Sequence, residues 1–145
     1  MNLKKSFFIL ALVIPFLFSG CARKGCTDTN STNYDASAKT DDGTCEYEGS
    51  VVMWYAKDVS EGLTSIGSTS LTFYVDGEIV GSTATSVYWT SAPDCGQNGS
   101  ITITKNLGIA TNKSYSYSVV DEYGDEWWSG TLNFTGNTCF ALQLD

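Results

Sequence analysis

Through most of the chain beyond residue 70, apolar residues recur at every second position. This period of two limits the fold more than any other feature. Leu71, Phe73 and Val75 fall on one face of an extended segment, as do Ile101 with Ile103, and Tyr115 and Tyr117 with Val119. Trp128, Leu132 and Phe134 alternate against Trp127, Ser129, Thr131 and Asn133, and Phe140, Leu142 and Leu144 form a last set. Val51 to Ala56 reads as an apolar opening strand, and Ser86 to Trp89 as a shorter one. Asp76-Gly77 marks a two-residue type I′ hairpin turn into Glu78-Ile79-Val80, while Gly124 and Gly136-Asn137 mark later turns. No amphipathic helix stands out. Seven or eight short strands with one apolar face each must bury those faces against one another. The expected fold is therefore all-β, a small antiparallel sandwich over 49–145, immunoglobulin-like in size.

The chain opens differently. Lys4 and Lys5 precede an uncharged apolar run from Phe7 to Phe18 that contains Pro15. About 20 apolar residues are needed to span a bilayer, so this run reads as a signal peptide over 1–20. It ends Leu17-Phe18-Ser19-Gly20-Cys21, which resembles the lipobox of bacterial lipoproteins, with Phe18 where a smaller aliphatic residue is commoner. The resemblance implies cleavage before Cys21, a diacylglyceryl thioether on that cysteine, and a membrane partner reached through the lipid. Two or three acyl chains anchor durably, at about 0.8 kcal/mol per buried CH₂. It further implies a cell-envelope address, the outer membrane in a Gram-negative host, with residues 21–24 as the tether. Whether the protein faces the periplasm or the surface is left open by the basic Ala22-Arg23-Lys24 stretch.

Five cysteines are present: Cys21, Cys26, Cys45, Cys95 and Cys139. Lipidation of Cys21 accounts for the odd one, and an oxidising compartment permits the remaining four to pair. Of three connectivities, Cys26–Cys45 with Cys95–Cys139 is expected, because each pair then lies within one structural unit. Residues 25–48 form the smaller unit. The sequence GCTDTNSTNYDASAKTDDGTCEY, from Gly25 to Tyr47, resembles a short cysteine module common in secreted proteins of Bacteroidota, to which no known activity attaches. Its only large apolar side chains are Tyr34 and Tyr47, so it needs a covalent staple. Asp28, Asn33, Asp35, Asp41 and Asp42 admit two readings. Asx side chains form turns by bonding their own backbone, and oxygen-rich loops also suit calcium. The spacing is not that of an EF-hand, and turn chemistry is the first expectation.

The larger unit resembles small β domains of uncharacterised Bacteroidota lipoproteins. The likeness rests on Phe73 to Gly77, Pro93 to Gly96, Tyr115 to Ser118, Trp128 to Thr131, and Cys139 with Leu142 and Leu144. Its general topology is similar to transthyretin-like and carboxypeptidase-regulatory sandwiches, a likeness of fold only.

Charge and composition narrow the function. Beyond the leader there are six basic and sixteen acidic residues, a side-chain charge of −10. That disfavours nucleic acid as a partner. Histidine is absent, which removes His-based triads and His metal sites. No phosphate-binding glycine loop occurs, and no cofactor is expected. Asp121, Glu122, Asp125 and Glu126 cluster around Tyr123-Gly124 and read as a solvated turn, with a carboxylate-based hydrolase as the remote alternative. Aromatic side chains are the remaining lead. By strict alternation Trp127 and Tyr74 face outward when Trp128 and Phe73 face inward, and Trp89 lies near a loop. These three are the candidate stacking platforms for a glycan or protein ligand. The expected function is thus a membrane-anchored, non-enzymatic binding or structural lipoprotein. A calcium- or carbohydrate-binding adhesion module is the alternative.

Overall fold

The computed structural model describes residues 22–145. Residues 1–21, where the expected signal peptide and the expected lipidation site Cys21 fall, lie outside the described residues. Two short strands, β1 (Lys24–Gly25) and β2 (Thr40–Asp41), pair in parallel within the cysteine module. The remaining strands are β3 (Tyr47–Trp54), β4 (Ser70–Val75), β5 (Glu78–Ala84), β6 (Ile101–Gly108), β7 (Asn112–Asp121), β8 (Glu126–Thr135) and β9 (Cys139–Gln143). They form a three-stranded sheet ordered β6-β3-β9 and a four-stranded sheet ordered β5-β4-β7-β8. The two pack face to face as an all-β sandwich. One pairing departs from the antiparallel pattern: β9 runs parallel to β3.

The period-two faces build the core. Val51 and Met53 of β3, Leu71, Phe73 and Val75 of β4, Ile103 and Leu107 of β6, Val119 of β7, and Leu132 and Phe134 of β8 are buried together. The β4–β5 turn is the expected one, since Asp76 and Gly77 both take positive φ, 55° and 78°. At one corner the sheets come very close. A Cβ on Gly49 would sit 2.6 Å from the Thr135 carbonyl oxygen, so only glycine fits where β3 passes the end of β8.

Val52 is fully buried although it points away from this core. The Pro93–Gly96 loop explains it by crossing the outer face of the smaller sheet. The Gly96 N–H donates to Thr102 Oγ1 at 2.9 Å, Pro93 is buried, and Cys95 is bridged to Cys139 at the start of β9. Cys26–Cys45 staples the small module. The pairing is therefore the expected one, Cys26–Cys45 with Cys95–Cys139. The module also leans on the sandwich. Tyr47 begins β3, so the boundary at 48/49 lies inside a strand, and its hydroxyl donates to Asp28 Oδ2 at 2.7 Å.

Two expectations of secondary structure are corrected. Lys57–Ser65 is a helix, α1, which carries the chain from the smaller sheet to the larger one. Val59 and Leu63 stand at helical spacing, but Gly62 and the absence of a capping side chain conceal the signal. Tertiary contacts supply the stability instead: Leu63 is buried in the core, and Ser60 Oγ donates to the Thr85 carbonyl at 2.7 Å. Ser86 to Trp89 is a turn and loop rather than a strand. The Val87 N–H closes on the Ala84 carbonyl, and Val87 and Tyr88 remain exposed with no sheet partner.

Candidate functional site

The sandwich is closed on one side and open on the other. On the β5–β6 side, a Cβ on Gly81 would stand 3.2 Å from Ile101 Cδ1, so the two sheets touch. On the opposite side lie β8 and β9, the edge strands of different sheets, which are not hydrogen-bonded to each other. A groove of about 530 Å³ runs between them, with Leu132, Phe140 and Leu142 among its apolar lining and Thr131, Asn133 and Thr135 along one bank. Phe140, Leu142 and Leu144 share a face, as the alternation requires. Leu144 is buried, yet Phe140 is 54% exposed. Among the described residues its strand ends the sheet.

Among the described residues, the backbone along this edge has no strand partner. The Ser50 N–H donates to the Thr138 carbonyl at 2.9 Å, and the Leu144 N–H donates to the Trp54 carbonyl at 2.8 Å. With the parallel register Ser50↔Cys139, Val52↔Ala141 and Trp54↔Gln143, these bonds commit Phe140 and Leu142 to β3. The N–H and C=O groups of Cys139, Ala141 and Gln143 therefore face the free edge. Edge strands are usually blunted by charge, proline or a bulge. The segment Cys139-Phe140-Ala141-Leu142-Gln143 has no charged residue and no proline, and its pairing with β3 has no register shift.

At the other end of the same edge the two tryptophans meet. Val119 pairs with Trp128 but Val120 pairs with Glu126, so Trp127 is the extra residue of a β-bulge. A bulge cancels one step of the alternation. Trp127 does not point away from Trp128. Their ring centroids are 6.3 Å apart, and both line a second groove of about 270 Å³ with Val59, Gly62 and Leu63 of α1 and with Asp145. Trp128 stacks on Tyr55 at 6.5 Å, and its Nε1–H donates to the Asp145 carbonyl at 2.9 Å. Trp127 is 40% exposed, and its Nε1–H donates to Asp121 Oδ2 at 3.1 Å.

The other two aromatic candidates lie elsewhere. Tyr74 sits half-buried on the outer face of the four-stranded sheet, opposite Ile79 and Ser118. The Trp89 N–H donates to the Tyr55 carbonyl at 3.1 Å, and Trp89 lines a small cavity with Met53 and Ile101. The three do not form one platform.

The carboxylates around the Tyr123-Gly124 turn divide into two kinds. Asp121 is buried. Its Oδ1 accepts the N–H groups of Tyr123 and Asp125, both at 2.9 Å. Burial works to raise its pKa, but the bonds from Trp127, Asp125 and Tyr123 prevail and hold it below the usual carboxylate range. Glu122 reaches across to the start of β4. Its Oε1 accepts Thr69 N–H and Oγ1–H, each at 2.8 Å, and its Oε2 accepts Ser70 N–H at 3.1 Å. Its own backbone N–H, opposed by burial and helped by Thr69 and Ser70, lowers its pKa to about 2. Both groups hold the turn in place.

The oxygen-rich residues of the small module are likewise engaged locally. Asp28 Oδ1 accepts Asn30 N–H, Asp35 Oδ1 accepts Ser37 N–H, Asp41 Oδ1 accepts Gly43 N–H and Asp42 Oδ1 accepts Thr44 N–H. Asn33 clamps the module, donating to the Thr44 carbonyl and accepting the Glu46 N–H. These are Asx turns and loop ties. Among the described residues, no three carboxylate or thiol side chains gather where a metal ion could be held.

Phe140, Asp145 and the free β9 edge escape sequence reasoning, because each depends on which strand ends a sheet. One signal for them exists, the uncharged stretch from Cys139 to Leu144. Taken together, the fold and the site define a disulfide-stapled β-sandwich with an open apolar edge groove. Comparison with family models, with curated proteins and with solved structures gives no match.

Proposed function

We propose that this chain is a lipid-tethered, non-enzymatic binding module of the cell envelope, and that the β8–β9 groove is the surface it binds with. One observation carries the reading: Phe140 faces the space between the sheets yet is 54% exposed, in a groove of about 530 Å³ between two strand edges. Concave, mostly apolar sites with a few polar groups at the rim are where ligands bind. Thr131, Asn133 and Thr135 supply such a rim. A catalytic reading has less support, since Asp121 and Glu122 are held in turn bonds and the chain has no histidine. The lipid on Cys21 would keep the module at the membrane while leaving the sandwich free to meet its ligand.

Trp127 favours a carbohydrate as one class of ligand, because its ring lies half-exposed on the wall of the adjoining groove, where a sugar face can stack. The test is a glycan and peptide array probed with the full-length protein in detergent. Hits should be lost in Phe140→Ser. Hits that persist in that variant would move the binding surface elsewhere, and an array with no hit would remove the binding reading.

A further inference from the structure

The ligand class follows from the edge itself, on the reading that the β8–β9 groove is the binding surface. We propose that the groove receives an extended peptide, which adds to the free edge of β9 and seats an arginine or lysine side chain between Trp127 and Asp145.

Three features support a peptide strand. The first is the unpaired backbone of Cys139, Ala141 and Gln143, which offers alternating N–H and C=O groups at the spacing of a β ladder. A glycan has no matching row of amides. The second is the floor of the groove. Strand addition places every second side chain of the incoming peptide over Phe140 and Leu142, and so removes the exposed apolar surface from water. The third is the absence of the devices that keep other edges from pairing, since this stretch carries neither charge nor proline.

Charge gives the peptide its chemistry. Among the described residues, Asp145 is the single charged residue lining either groove, and no lysine or arginine lines them. Residues 22–145 carry six basic against sixteen acidic side chains, so the field over this surface is negative. Trp127, 40% exposed, and Asp145 line the same groove, and a cation seated there gains from both an indole face and a carboxylate. The same field opposes a second copy of this chain as the occupant, because β9 has no cation to offer in return.

Synthetic nonapeptides provide the probe. They alternate valine and threonine with blocked ends, and one arginine stands next to either terminus. Binding to the full-length protein in detergent is followed by tryptophan fluorescence and calorimetry. The arginine peptide should bind at least about ten-fold more tightly than its glutamate counterpart. N-methylation of alternate amides along the pairing edge should weaken it by about ten-fold or more. Ala141→Pro removes an N–H that β3 does not use and should weaken binding to the same extent. Phe140→Ser provides a second variant should Ala141→Pro fail to fold. Equal affinity of arginine and glutamate peptides, or indifference to N-methylation, would overturn the inference. Glycan binding lost in Phe140→Ser, with no peptide binding, would also overturn it while leaving the groove as a binding surface. Neither glycan nor peptide binding would remove both readings.

Discussion

Replacing Cys95 and Cys139 together by alanine tests how the sandwich is held. The bridge closes a loop of 44 residues in sequence separation, and Cys26–Cys45 closes one of 19. In the chain-entropy model these loops correspond to about 4.0 and about 3.2 kcal/mol, so the two bridges differ little in the unfolded chain. They differ in where the loss is felt. Cys139 is exposed and Cys95 half-buried, so alanine there removes little packing and the entropic loss dominates. Cys26 and Cys45 are buried and belong to a module with almost no other core. All four tryptophans, Trp54, Trp89, Trp127 and Trp128, lie in the sandwich, so their fluorescence reports that unit alone. Denaturant unfolding followed by tryptophan emission should therefore show about 4 kcal/mol lost in Cys95→Ala/Cys139→Ala, with a melting temperature lower by about 15 °C. In Cys26→Ala/Cys45→Ala the same signal should move by less than about 1 kcal/mol, because the module's loss is local. Equal shifts in the two double variants would refute the reasoning. They would mean that the module and the sandwich unfold as one unit through the Tyr47–Asp28 contact.

Three further outcomes are expected. Cys21→Ser should abolish metabolic lipid labelling and leave an uncleaved precursor, whereas normal membrane fractionation of that variant would contradict the anchor. Leu132→Ala should lower stability by about 2–5 kcal/mol, since Leu132 is 2% exposed within the core, and Thr131→Ala on the other face should stay within about 0.5 kcal/mol. Equal losses in urea unfolding would mean that the two faces are assigned wrongly. Glu122 has its folded pKa depressed from 4.5 to about 2, so its stabilisation is complete above pH 4.5 and is lost as pH falls toward 2. The stability difference between wild type and Glu122→Gln should be constant near neutrality and shrink across that acid window. A difference that grows on acidification would reverse the sign of the linkage.

Periodicity, turn chemistry and cysteine count are local properties, and they carry most of the fold. Leu71, Phe73 and Val75 declare their face because successive side chains of a strand must alternate. Asp76-Gly77 declares its turn because both residues tolerate positive φ. Four cysteines in two units leave one arrangement that respects the units, and the structure has it. The helix α1 lies at the limit of this kind of reading, for its stripe is present but its propensity is weak, and packing decides it.

The candidate site belongs to the other category. Alternation places Phe140 with Leu142 and Leu144, but it cannot say that β9 ends a sheet, and only that position leaves Phe140 in the open. Alternation also sets Trp127 opposite Trp128, until one residue inserted against Val119 and Val120 turns both toward α1 and Asp145. Strand order, bulges and the parallel run of β9 beside β3 arise from contacts between segments far apart in the chain. A pattern of period two contains the face of a strand wherever no bulge interrupts it and the neighbour of none, so the core was legible from the sequence while the open edge required the assembled sheets.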